Sequence, residues 1–95
     1  MNNNFNEIQE LLCEKADCRA RLNLIAYDGT SEVKDRNGNK YLYVRKRVGS
    51  RVASTYVNVY SEELHQMLLR SNREARELRK NIRRVDKRLS LQTII

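Results

Sequence analysis

The chain has 95 residues, 40 % of them hydrophobic and 33 % charged, and carries a net charge of +7. That length supplies one ordinary domain and too little buried surface for a deep catalytic cleft. The composition excludes both a disordered chain and a membrane-spanning one. Met1-Asn2-Asn3-Asn4 leads into an acidic stretch, without the basic and apolar regions of a signal or transit peptide, so a cytoplasmic protein is expected. Charge is unevenly spread. Residues 1–29 hold three basic and five acidic groups, residues 30–60 seven and two, and residues 61–95 nine and five. With no proline and three glycines, a few long, unbroken elements are expected, in a single domain over 1–95.

The first element is a helix over residues 5–26. Phe5, Ile8, Leu11, Leu12, Cys18, Leu22 and Ile25 recur at helical spacing and form one apolar stripe. Gly29 follows, where a chain can leave a helix in a left-handed conformation.

Between residues 31 and 60 the period changes to two. Asn37-Gly38 is a strong hairpin signal, because both residues tolerate the positive φ of a type I′ turn. Gly49-Ser50 is a second two-residue turn, with glycine first. If it pairs Val48 with Arg51, then Val44 faces Thr55, Tyr43 faces Tyr56 and Leu42 faces Val57, joining like with like. A three-stranded antiparallel meander follows, with strands near 31–36, 40–48 and 51–60. This register places Leu42, Val44, Val48, Val57 and Val59 on one face, with Lys46 near its edge. Tyr41, Tyr43, Arg45, Arg47, Tyr56, Asn58 and Tyr60 lie on the other. The aliphatic face is expected to pack on helix.

Residues 61–90 read as one long helix. Ser61 can cap it, and Glu62 and Glu63 complement the positive end of its dipole. Leu64, Leu68, Ser71, Ala75, Leu78, Ile82, Val85 and Leu89 step by four and three, which makes a heptad seam. Thirty helical residues span about 45 Å, against a radius of gyration of about 13 Å for a 100-residue globule. The far half, residues 75–89, therefore needs either the first helix or a second copy of the chain to cover it, and a homodimer is one consequence. The fold class is thus α+β: helix, meander, long helix.

Candidate chemistry is sparse. Cys13 and Cys18 lie about 140° apart around a helix and match no metal-binding spacing with the one histidine, His65, so no metal or cofactor is expected. Asp35-Arg36-Asn37-Gly38-Asn39 begins like a calcium loop, but Lys40 and Lys46 stand where glycine and glutamate are needed. Asp28 with Glu32-Val33-Lys34 has the elements of a metal-dependent nuclease grouping. The acids are only four residues apart, however, and Glu32 and Lys34 are more simply neighbours on an exposed strand. No nucleophile has a base beside it and no glycine-rich phosphate loop occurs, so the reading is non-enzymatic.

The basic patches are stronger. Alternation in the segment from Tyr41 to Arg47 sets Tyr41 and Tyr43 beside Arg45 and Arg47, with Tyr56 across the strand. Flat rings beside guanidinium groups suit a single-stranded nucleic acid; the same residues also suit the soluble outer face of a small sheet. On the long helix Arg73, Lys80 and Lys87 are seven apart and opposite the seam, with Arg76 and Arg83 alongside. Nine basic residues stand against three acidic ones between Arg70 and Arg88, a bias toward a polyanionic partner, unless the acidic first helix neutralises it. Without tryptophan or a broad bulky face, the helix does not suit a membrane surface.

Three stretches carry a family resemblance: Glu-Leu-Leu-Cys-Glu-Lys-Ala at 10–16, Lys-Tyr-Leu-Tyr-Val-Arg-Lys-Arg at 40–47, and Ser-Thr-Tyr-Val-Asn-Val-Tyr-Ser-Glu-Glu-Leu at 54–64. With the arginine-rich helix, they resemble small helix–hairpin–helix proteins of mobile elements in Gram-positive bacteria, phage and plasmid proteins among which are anti-CRISPR inhibitors of type II-A Cas9. The resemblance runs from Phe5 to Leu89, and its motifs are structural. It implies a cytoplasmic inhibitor of a Cas9 effector that engages the effector or its guide RNA, or DNA. A basic chain has the wrong sign to imitate DNA, so masking the guide-RNA backbone is the mechanism its charge permits. Tyr41, Tyr43, Arg45, Arg47, Tyr56, Arg73, Arg76, Lys80, Arg83 and Lys87 are the candidate contacts. Two alternatives stay open. One is a dimeric DNA-binding accessory or regulatory protein; the other is an antitoxin-like module that pairs through the seam of Leu68, Ala75, Leu78, Ile82, Val85 and Leu89.

Overall fold

The computed structural model describes residues 3–93; Met1-Asn2 and Ile94-Ile95 lie outside the described residues. The elements are α1 (Asn3–Asn23), β1 (Thr30–Arg36), β2 (Asn39–Val48), β3 (Arg51–Val59) and α2 (Glu62–Thr93). This is the expected α+β order of helix, meander and long helix. The chain separates into two compact units, one spanning Ala26–Glu74 and the other made of α1 with α2 from Ala75 onward.

In the first unit the strands form an antiparallel sheet in the order β1-β2-β3. Asn37 and Gly38 take φ of 55° and 83°, as the first hairpin turn requires, and Gly49 takes 64° in the second. The β2–β3 register follows expectation from Val48↔Arg51 through Val44↔Thr55 to Tyr43↔Tyr56. It then shifts, so that Leu42 pairs with Asn58 and Tyr41 with Val59. Leu42 therefore does not face Val57, which drops out of the ladder. The Val59 amide donates to the Asn58 side chain at 2.7 Å, and just beyond the ladder the Tyr60 amide donates to the Lys40 carbonyl at 3.0 Å.

An extra residue in one strand reverses the alternation beyond it. Val59, expected on the aliphatic face, is exposed. Tyr60, expected on the tyrosine–arginine face, packs instead against the core. That core consists of buried Leu42, Val44 and Leu68, with Val57, Tyr60 and Leu64 partly buried around it. Leu64 and Leu68 are one turn apart on α2, so its first turns cover only the stretch of sheet around Leu42 and Val44. Val48, expected in the aliphatic face, is exposed beyond that cover.

Ser61 caps α2: its hydroxyl accepts from the Leu64 amide at 3.1 Å, and its carbonyl from the His65 amide at 2.9 Å. Further along, the Tyr60 hydroxyl donates to Glu62, and Gln66 donates to the same carboxylate at 2.9 Å.

α1 ends at Asn23, short of the expected residue 26. Its last turn tightens, with the Leu24 amide on the Arg21 carbonyl (3.1 Å) and the Ile25 amide on the Leu22 carbonyl (3.2 Å). Gly29 is therefore not the helix terminator. It has φ 153° beside β2, where an added Cβ would lie 2.6 Å from the Arg45 carbonyl oxygen and 2.7 Å from Val44 Cγ1.

In the helical unit Leu11, Cys18, Ala75, Leu78 and Val85 are buried, while Ile8, Leu22, Ile82 and Leu89 are half-buried. Phe5 and Leu12, expected in the apolar stripe, are exposed. α1 is thus the cover for this half of the seam, one of the two expected. Leu68 packs separately, in the core of the sheet unit. Lys15 pairs with Asp86 at 2.6 Å, Arg84 with Glu14 and Arg88 with Glu7, and Gln92 donates to Glu7 at 3.1 Å.

Candidate nucleic-acid interface

The register brings the expected sheet residues onto one face. Tyr43 lies opposite both Glu32 and Tyr56, Tyr41 opposite Lys34, and Arg45 opposite Thr30 and Ser54. Tyr43 and Tyr56 meet edge to face with ring centroids 5.5 Å apart, and Tyr41 and Tyr56 are tilted at 6.3 Å. The Lys34 ammonium sits 4.3 Å from the centre of the Tyr43 ring. The tyrosines therefore pack on one another and under a lysine, which stabilises the sheet itself. Tyr41 and Tyr43 are half-buried, so Tyr56, at 50 % exposure, offers the accessible ring. The face is better suited to contacting a charged backbone than to stacking a run of bases.

The charge of the sheet, taken over both faces, is unevenly offset. Glu32 lies 3.5 Å from Lys34 and 3.8 Å from Arg45, distances at which exposed pairs contribute little. Lys46 donates to Asp28 at 3.3 Å. From Arg36 to Ser61 the sequence has no acidic residue, yet it holds Arg36, Lys40, Arg45, Lys46, Arg47 and Arg51. Lys34 and Arg36 join the expected site residues on the tyrosine face, and Arg51 adds a cation on the opposite face. The signal for them lies in the sequence: pairing the strands about Asn37-Gly38 sets Lys34 opposite Tyr41, and pairing about Gly49-Ser50 sets Arg51 opposite Val48.

The second patch lies on α2. Arg73 belongs to the stretch of the helix in the sheet unit, while Arg76, Lys80, Arg83 and Lys87 belong to the helical unit. All five are exposed. The acidic residues of α1 reach Arg84 and Arg88; among the described residues, none forms an ion pair with these five. Neutralisation by α1 is real but goes to the flank of the stripe. The four residues in the helical unit recur at steps of four, three and four, so they follow one side of the helix over about 16 Å.

The remaining polar groups are engaged locally. His65 Nδ1 and the Ser31 hydroxyl are 2.9 Å apart, tying β1 to α2. Hydrogen bonds from Tyr60, and next from Gln66, hold the Glu62 carboxyl below its ordinary range. The same contact with Glu62 raises the Tyr60 hydroxyl. Both cysteines are free thiols, Cys13 exposed and Cys18 buried. Among the described residues no group of three or more His, Cys, Asp and Glu is placed to hold a metal ion. No helix among them is long and apolar enough to cross a membrane.

Residues 5–66 match a family described as a domain of unknown function (DUF6788). The match runs from α1 through the sheet into the first turns of α2; Tyr41, Tyr43, Arg45, Arg47 and Tyr56 fall within it, and the Arg73–Lys87 stripe does not. No curated protein and no solved structure matches the chain.

Proposed function

The chain belongs to the DUF6788 family, a domain of unknown function, and from its own surface we propose a non-enzymatic nucleic-acid-binding protein that covers phosphate backbone. One observation carries this reading. The stretch from Arg36 to Ser61 has six cationic and no acidic side chains, and the segment Arg45–Tyr56 within it is exposed throughout. Cations spread over a paired sheet bind phosphates by charge, driven by release of condensed counterions and without any covalent step. The α2 stripe adds a second row of the same sign.

The finer proposal follows the resemblance to mobile-element inhibitors: the ligand is the nucleic acid of a Cas9-type effector in the bacterial cytoplasm, either its guide RNA or its target DNA. Such an effector holds its nucleic acids largely through their backbones, so a protein occupying those phosphates competes for them directly. A DNA-binding accessory or regulatory protein is the second reading, favoured by the two-sided exposure of the β2–β3 hairpin. An antitoxin-like module has less support. Its pairing surface would be the seam, and Leu68, Ala75, Leu78 and Val85 are already buried within one chain.

The test is binding of the full chain to guide RNA, duplex DNA and single-stranded DNA at two salt concentrations, with light scattering for the oligomeric state. Preference for guide RNA supports the inhibitor acting on RNA, and preference for duplex directs attention to DNA. Absence of binding to all three overturns the proposal.

A further inference from the structure

The hairpin joining β2 to β3 extends beyond the core that anchors it. Val44 is the last buried residue of β2, and every residue from Arg45 to Tyr56 is exposed. The strands stay paired throughout, from Arg45↔Ser54 to Val48↔Arg51. Arg45 still pairs with Thr30 of β1, so Lys46–Val48 carry the two-stranded ribbon about 10 Å further at about 3.4 Å per residue. What leaves the core is a two-stranded ribbon with solvent on both faces.

Its side chains are divided by the register. Arg45, Arg47 and Val52 share one face, and Lys46, Val48 and Arg51 share the other. Val48 is 61 % exposed and Val52 54 % exposed, each paired across the ribbon with an arginine. At the root, Lys46 lies 3.3 Å from Asp28 and Arg45 lies 3.8 Å from Glu32. An isolated two-stranded ribbon is at best marginally stable in water, so this extension adds little to the fold. Its composition, cations on both faces around an apolar tip, fits a cleft with anionic walls.

We propose that this ribbon enters the major groove of B-form duplex DNA. That groove is about 12 Å wide and about 8.5 Å deep and admits a two-stranded β-ribbon. A reach of about 10 Å exceeds the depth. Arg45 and Lys46 then stay level with the phosphates, while Arg47, Val48, Arg51 and Val52 reach the base edges. Arginine there can bond guanine in bidentate fashion, and valine can pack on the thymine methyl group. The major groove of A-form RNA is too deep and narrow for this. A single strand has no second wall to meet the ribbon's other face. The inference rests on the nucleic-acid reading above and selects duplex DNA among its ligands.

The test compares the wild-type chain with the double variant Arg47→Ala/Arg51→Ala on labelled duplex DNA, the same single strand, and an RNA duplex. Wild type is expected to prefer duplex DNA. The variant should lose at least about tenfold on that ligand, with the salt slope little changed because Arg45 and Lys46 keep the phosphates, and change little on the other two. A second measurement uses wild type alone: the major-groove ligand methyl green should displace it from DNA, and the minor-groove ligand netropsin should not. Equal loss on all three ligands, wild-type affinity in the variant, or displacement by netropsin alone overturns the inference. Binding to RNA without binding to duplex DNA overturns it too, and leaves the nucleic-acid reading standing. Binding to none of them overturns both.

Discussion

Tyr43 and Tyr56 meet across β2 and β3 with ring centroids 5.5 Å apart and ring planes 71° apart. They form the last pair in register before Val57 drops out of the ladder. The two faces of the sheet owe their composition to that position. Up to Tyr56 the strand alternates as the turn dictates; past Val57 it alternates the other way, sending Tyr60 to the core and Val59 to solvent. Deleting Val57 should return β3 to simple alternation, keep Asn58, Val59 and Tyr60 opposite Leu42, Tyr41 and Lys40, and withdraw Val57 alone from the core. A loss of about 2–4 kcal/mol is expected, on the scale of a large-to-small core substitution. Urea unfolding measures it, and an unchanged midpoint would show that the shift does no structural work.

The core of the sheet unit depends on Leu68, which is buried against Leu42 and Val44. Leu68→Ala should cost about 2–5 kcal/mol, whereas Met67→Ala, next to it and exposed, should stay within about 0.5 kcal/mol. The contrast is read by thermal or urea unfolding of the two variants. Equal effects would mean that α2 does not seat on the sheet through this turn.

Gly29 is needed for close approach. Gly29→Ala places a Cβ 2.6 Å from the Arg45 carbonyl oxygen, whereas an added Cβ at Gly38 meets nothing within 4 Å. Gly38→Ala should therefore cost only its positive-φ strain, about 1 kcal/mol. Gly29→Ala should cost more, on the order of 2–3 kcal/mol, because strand and connector must separate. Paired melting curves decide the order, and a milder Gly29 variant would contradict it.

Glu62 and Tyr60 give the start of α2 a pH signature. The Tyr60 hydroxyl, followed by Gln66, lowers the Glu62 carboxyl. A lowered acid contributes stability above its unfolded pKa and loses it as pH falls through the folded value. Tyr60 is raised, chiefly by the hydrogen bond to Glu62. Its contribution is therefore present below its unfolded pKa and disappears as pH rises through the folded value. Tyr60→Phe should remove the alkaline dependence and move the Glu62 titration, followed by NMR, upward toward the usual carboxylate range. An unmoved Glu62 titration would show that the hydrogen bond does not persist in solution.

Most of the fold was legible because its signals are local. Asn37-Gly38 and Gly49-Ser50 fix two turns and, through them, the register of the neighbouring strands. Ser61 marks the start of α2, and the four–three steps from Leu64 to Leu89 mark its buried side. The register shift was hidden, since Val57-Asn58-Val59-Tyr60 continues a clean alternation in sequence and the extra residue shows only in the pairing. The end of α1 was hidden as well, because Leu24 and Ile25 prolong the apolar spacing past the last helical turn. Charge made the candidate site legible. The packing of its rings was not, because Lys34 approaches Tyr43 from a strand whose alignment depends on the first turn. Whether the far seam met α1 or another chain was open from spacing alone; burial of Ala75 and Val85 within one chain assigns it to α1.

The central claim is that exposed cations of the sheet hold a nucleic-acid backbone, and its most direct measurement is the salt dependence of affinity. The wild-type chain and the variant Arg45→Glu/Arg47→Glu would be titrated with guide RNA and duplex DNA from about 50 to about 200 mM salt. For three or four phosphate contacts, wild-type affinity should fall roughly 40- to 150-fold over that range. The variant, folded by circular dichroism, should bind weakly with a shallower slope. Wild-type affinity that is absent or indifferent to salt, or a variant that binds as wild type does, would contradict the account.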